Sequence, residues 1–170
     1  MFLYVDLNDL HNAELVANNN LNLFKIKFDA HYYLCEVLYD KKLYHDVIRI
    51  CDEILSPESN YMQLPEEKRD QYFLYSRALS YIKVGEIDKA IPDLIENEKL
   101  WSQESFTYGT LAYAYYQANH IEKAKASYQK AMEIEPKYRA DIDGLTGIFN
   151  GTDEAKAVFK EILKLIDAER

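Results

Sequence analysis

Apolar positions recur along the chain at steps of three and four, the spacing that keeps side chains on one face of a helix. The pattern also repeats on a longer scale. Ala78, Tyr81, Ile87 and Ala90 are followed by Ala112, Tyr115, Ile121 and Ala124, each pair 34 residues apart. In both stretches a turn residue, Gly85 or Asn119, divides two periodic segments, and an acidic-Lys pair precedes the second alanine. The pattern predicts a pair of helices in each stretch. An earlier pair covers about Leu21 to Leu55, with Leu34, Cys35 and Leu38 in its first helix and Tyr44, Val47 and Cys51 in its second. Ser56-Pro57 stops it. Val47 precedes Ala90 by 43 residues, nine more than the period, and the excess falls in SPESNYMQLPEEKRD. Pro65, with acids behind it, marks the start of the next helix. From about Lys137 to Ile166 the pattern degrades. Gly144, Gly147 and Asn150-Gly151 break the first helix there. Thr152 is an N-cap for the last helix, whose apolar stripe is Ala155, Phe159 and Ile162. Residues 1–20 join no repeat. Leu7, Leu10, Glu14 and Leu15 predict a short helix before the turn Asn18-Asn19-Asn20.

A period of 34 residues is that of the tetratricopeptide repeat. The motif of that family is W-x2-L-G-x2-Y, then A-x3-F, then P. The later stretch has Tyr108-x2-Leu111-Ala112-x2-Tyr115, then Ala124-x3-Tyr128, then Pro136. Each substitution keeps size class, so the chain resembles a tetratricopeptide protein over about 145 residues. Ala112 and Ala124 are small where two helices approach closely, and Pro136 ends the second helix. The stretch before it matches less fully. Arg77 stands where the motif has leucine, and burying it unpaired would be costly. It is expected to pair with an acid on a neighbouring helix, Asp52 or Glu53. Pro92 lies inside a helix near its start, where a lost hydrogen bond costs least.

The resemblance implies an all-α fold, a right-handed solenoid of antiparallel helix pairs closed by a C-terminal capping helix. The expected organisation is an N-terminal extension (1–20), a first repeat (21–56), a loop (57–64), a second repeat (65–101), a third (102–136) and a degenerate unit with the capping helix (137–170). It also implies that the first helix of each repeat lines a concave groove. Those helices carry a second stripe of their own. Tyr72, Tyr75, Leu79 and Ile82 step by three, four and three, as do Phe106, Gly109, Tyr113 and Tyr116, and Asp29, Tyr32, Glu36 and Tyr39. Two explanations compete. Helices that are apolar all round are usually buried, here by a neighbouring helix, the N-terminal segment or the last helix. Alternatively the stripe lines an open groove, and the dominance of tyrosine over leucine favours that reading, because tyrosine offers a large ring, a polar tip and little entropy to lose. The expected partner-binding residues are Tyr32, Tyr39, Tyr72, Tyr75, Leu79, Ile82, Phe106, Tyr113, Tyr116 and Gln117.

Family members that clamp the C-terminal carboxylate of heat-shock chaperones do so with lysine, arginine and asparagine on this face. The matching positions here are Tyr32, Glu36, Tyr75, Leu79, Gly109 and Tyr113, none cationic. Lys83 alone makes no clamp. The expected partner is therefore a protein or peptide with apolar anchors.

Composition narrows the function further. The net charge is −9 with a pI near 4.9, which disfavours binding to phosphate backbones. Glycine (5) and proline (4) are scarce, against a turn-rich β fold. No secretory signal or membrane-length apolar run is present, so a soluble, cytoplasmic protein is expected, with no membrane partner. Cys35 and Cys51 lack metal-ligand spacing, and the four histidines lie far apart. No metal, cofactor or catalytic motif is expected. Cys35 lies four residues from His31, a pairing for which core filling is the better account. The expected function is a non-catalytic scaffold or adaptor. Two other settings stay open. Class II type III secretion chaperones are similar in size, acidity and repeat number, though the nine-residue insertion departs from their spacing. The N-terminal region of a large assembly subunit, such as one of the anaphase-promoting complex, is the other. A hydrolase or transferase without a recognisable motif is a third class, which turnover lost in Cys35→Ser would reveal. The apolar start Phe2-Leu3-Tyr4-Val5 is a candidate for homodimerisation, for covering the first repeat or for strand pairing.

Overall fold

The computed structural model describes residues 24–57 and 66–169, with side chains described from 31 and from 71 onward. The expected N-terminal helix, the segment Phe2 to Val5, Pro65 and most of the loop at 57–64 lie outside them. The described residues are helical throughout, joined by turns, with no strand among them. In chain order the helices are α1 (Phe24–Asp40), α2 (Tyr44–Leu55), α3 (Glu66–Lys83), α4 (Ile87–Leu100), α5 (Ser105–Gln117), α6 (Ile121–Ile134), α7 (Lys137–Ala140) and α8 (Asp153–Asp167), with a 3-10 turn at Ile142–Gly144. Two compact units divide the chain, the first running to Ser80 and the second from Tyr81.

The first unit is built on α1, α2 and the body of α3. The buried residues of α2, Val47, Ile50, Cys51 and Ile54, fall at i, i+3, i+4 and i+7, one stripe of a helix. They pack with Cys35 and Leu38 of α1 and Phe73 of α3 into one apolar cluster. Each such side chain removed from water contributes roughly 1.5–3 kcal/mol. Arg77 of α3 donates to Asp52 of α2 at 2.7 Å, the partner expected for it. The Asp52 side chain is 52% exposed, so the pair adds little stability beyond satisfying the guanidinium.

The second unit packs around α5. Every residue of α5 from Thr107 to Tyr115 is buried. Ala112 is fully buried in α5, and Ala124, Tyr128 and Ala131 are fully buried in α6. Thr107 of α5 donates to Asn97 of α4 at 3.1 Å, satisfying two buried polar groups together. Pro92 is accommodated inside α4, and α6 ends at Ile134 just before Pro136. The glycine-rich stretch does break helical structure, leaving α7 and the 3-10 turn before α8. Thr152 caps α8 by accepting from the Ala155 amide at 3.2 Å, and Ala155, Val158, Phe159, Ile162 and Ile166 form its buried stripe.

Three turns share one backbone device. Lys42 (φ 63°), Gly85 (φ 80°) and Asn119 (φ 60°) each take a left-handed conformation between paired helices. The next amide in each turn reaches back to a helix carbonyl: Leu43 to Leu38 at 2.9 Å, Glu86 to Tyr81 at 2.9 Å and His120 to Tyr115 at 2.8 Å. These are the closing bonds of a Schellman-type helix end, which returns the chain for an antiparallel partner.

Candidate functional site

Tyr32, Tyr33, Tyr39, Tyr44, Tyr72 and Tyr75 of the first unit all keep some exposure. Tyr32 of α1 packs edge-on against Tyr72 of α3, with ring centroids 4.9 Å apart, and against its neighbour Tyr33 at 5.6 Å. Such pairs add about 0.5–1.5 kcal/mol beyond their area. Tyr33 is 55% exposed, the largest exposure of any aromatic ring among the described residues with exposed apolar side chains. Tyr32 donates to Glu36 at 2.7 Å. Burial, reinforced by that carboxylate, pushes the Tyr32 hydroxyl well above the usual tyrosine range. Tyr39 packs edge-on against Tyr44 at 5.2 Å. Tyr39, Tyr72 and Tyr75 are half-buried, whereas Leu79 is 3% exposed.

The second stripe of α5 has a different fate. Its face is covered from within the second unit by residues 138–154. The Tyr138 ring lies over Gly109 so closely that a Cβ there would meet it at 2.7 Å. Asn150 is 2% exposed and bridges the same helix, donating to the Phe106 carbonyl at 2.8 Å and accepting from Thr110 at 3.2 Å. Phe149 packs edge-on against Tyr113 at 4.9 Å, and Tyr113 donates to Glu154. Lys83 completes the cluster, 2.6 Å from Glu154 and over the Phe149 ring at 5.3 Å. Burial works against the Glu154 carboxylate, but the bonds from Lys83 and Tyr113 outweigh it and hold the carboxyl below its ordinary range. Burial likewise raises the Tyr113 hydroxyl.

Residues 105–138 match the model of the tetratricopeptide repeat. They contain the motif residues Tyr108, Leu111, Ala112, Tyr115, Ala124, Tyr128 and Pro136. This stretch is a tetratricopeptide repeat. No curated protein sequence matches it. Solved structures of the same fold do. MamA superposes with a TM-score of 0.63 at 19% identity, over 96% of this chain and 91% of that one. The Sgt2 domain from Aspergillus fumigatus gives 0.59 at 17% identity, over 84% and 81%. The first such domain of Spaghetti (RPAP3), bound to the HSP90 peptide SRMEEVD, gives 0.54 at 14%, over 94% and 96%. At these identities the likeness is one of fold.

The expected partner-binding residues separate into two groups. Leu79, Ile82 and Tyr113 are core side chains, 3%, 5% and 3% exposed. Tyr32, Tyr39, Tyr72, Tyr75, Phe106 and Tyr116 are half-buried and Gln117 is exposed. Phe106 is engaged edge-on by Trp101 at 4.9 Å. The repeat motif carried no information about the cover over α5. Tyr138, Phe149 and Asn150 lie in a stretch whose broken periodicity concealed that they pack inward. Among the described residues no helix is long and apolar enough to cross a membrane, and no group of three or more His, Cys, Asp or Glu is placed to hold a metal ion.

Proposed function

We propose that this protein is a non-catalytic interaction module that binds a partner polypeptide through apolar anchors, using the tyrosines of its first unit. The observation that carries the reading is the edge-on, partly exposed set of Tyr32, Tyr33 and Tyr72, with Tyr75 and Tyr39 on the same helices. Large amphipathic rings with few rotatable bonds are the side chains that lose least on binding. On the second unit Phe106 and Tyr116 are half-buried and Gln117 is exposed. The solved domain of RPAP3 holds an acidic peptide, SRMEEVD. This chain has Tyr32, Glu36 and Tyr75 on the face where members with a carboxylate clamp carry lysine, arginine and asparagine, and Lys83 is already committed to Glu154. Apolar anchors are therefore the better match.

The test is a triple substitution, Tyr32→Ala, Tyr33→Ala and Tyr75→Ala, assayed against the partner captured from source-cell extract by the unaltered chain. Partner affinity is expected to fall tenfold or more with helicity retained. Unchanged affinity in a folded variant would place the interface elsewhere. The captured material also separates two settings. A client held one-to-one that precipitates without the chain indicates a chaperone, and a stable multi-subunit assembly indicates an adaptor.

A further inference from the structure

We propose that Asn150 is a deamidation site, guarded while residues 138–154 cover α5 and open to reaction when that cover lifts. Asn150 is followed by Gly151, the neighbour that leaves an asparagine most open to its own backbone, since glycine has no Cβ to hinder the attacking amide nitrogen. The fold requires both halves of this dipeptide. Asn150, 2% exposed, donates to the Phe106 carbonyl at 2.8 Å and accepts from Thr110 at 3.2 Å. A Cβ on Gly151 would meet the backbone of the preceding turn, the Gly147 oxygen at 2.8 Å and the Thr146 carbonyl carbon at 3.0 Å. Backbone atoms cannot swing aside as a flexible side chain would, so a less reactive residue does not fit there.

The reaction is an intramolecular condensation followed by hydrolysis. The Gly151 amide nitrogen attacks Cγ of Asn150, a carbon–nitrogen bond forms, and the Cγ–Nδ2 bond breaks. Ammonia leaves with the proton that the Gly151 nitrogen gives up, and a cyclic succinimide remains. Water then adds to one ring carbonyl or the other and opens the ring, to aspartate or to isoaspartate. In the folded chain every participating group is engaged. The attacking N–H donates to the Gly147 carbonyl at 3.3 Å, the leaving amide is held on Phe106, and the amide oxygen faces Thr110. Reaction therefore waits for local opening. The product also resists reclosing. It sets a carboxylate oxygen, an acceptor, where an N–H met the Phe106 carbonyl, in a buried site. Isoaspartate further adds a carbon to the backbone just ahead of the Thr152 cap of α8. Each molecule that reacts thus keeps the second face of α5 less well covered.

The experiment holds the full, unaltered chain at physiological temperature and mildly alkaline pH, in buffer and in denaturing urea, and follows the peptide containing Asn150 by mass. In urea that peptide is expected to gain about one dalton with time. In buffer the conversion should be about tenfold slower or more, and should quicken in sub-denaturing urea. Equal rates in the two conditions would show that the cover does not guard the site, and no conversion in urea would show that the dipeptide does not react. Either result overturns the proposal. Asn150→Asp tests the consequence without waiting for the reaction. Its thermal midpoint is expected to fall by roughly 5 °C or more. A variant that melts with the unaltered chain would overturn the claim that the product resists reclosing. The two rates are measured on the unaltered protein, so they decide the question even where the variant fails to fold.

Discussion

Lys42 is the least comfortable of the three turn residues. A left-handed conformation suits glycine and is tolerated by asparagine, but it crowds the Cβ of a lysine against backbone. Gly85 and Asn119 occupy the matching places in the other two hairpins. Lys42→Gly is therefore expected to stabilise the protein by about 1 kcal/mol, the relief of strain exceeding the extra freedom of glycine when unfolded. Chemical denaturation would show this as a higher midpoint with an unchanged slope. Residue chemistry was often legible in advance. Arg77 was expected to seek a carboxylate because a buried guanidinium has few alternatives, and Asp52 supplies it at 2.7 Å. Lys42 was not legible, because nothing in lysine announces a turn. Only its register against Gly85 and Asn119 points there.

At the scale of the element, α5 is the instructive case. Its two apolar stripes were visible in the sequence, as was the repeat motif on one of them. What covers the second stripe was not, because Tyr138, Phe149 and Asn150 come from a segment whose glycines hide any period. The cover depends on a glycine. Placing a Cβ at Gly109 would bring it within 2.7 Å of a Tyr138 ring that is itself 2% exposed and has nowhere to move. Gly109→Ala gains helix propensity, yet overpacking of this kind costs about 1–3 kcal/mol, so the net effect is expected to be destabilising. Gly109→Ala combined with Tyr138→Leu should recover part of that loss, since the two positions share one contact. Thermal melts of the two variants check both statements.

Over the whole molecule, the 15 tyrosines do two kinds of work. Some are structural: Tyr128 is fully buried and donates to the Tyr138 carbonyl, and Tyr113 is held by Glu154. Burial raises the hydroxyls of Tyr32, Tyr113 and Tyr128 above the unfolded value. A raised folded value means that their contribution to stability is complete below about pH 10 and is lost as pH climbs toward the folded values. Tyrosinate absorbance from these three is expected to appear together with loss of helical circular dichroism, in one transition above about pH 10. If it appears while helicity is intact, the rings are less enclosed than their positions imply. The fold class and repeat spacing were legible because a short motif recurs at a fixed interval. The division of tyrosines between core and surface was not, since it depends on which segment returns to cover each face.

The left-handed Lys42 has a further consequence, for time rather than structure. Strain present in the closed hairpin and absent once it opens enlarges the open population, by about fivefold for 1 kcal/mol. That hairpin is the one whose interior holds Cys35 and Cys51. An uncomfortable turn thus sets how often two enclosed sulfurs meet the solvent, and a glycine there would slow the clock.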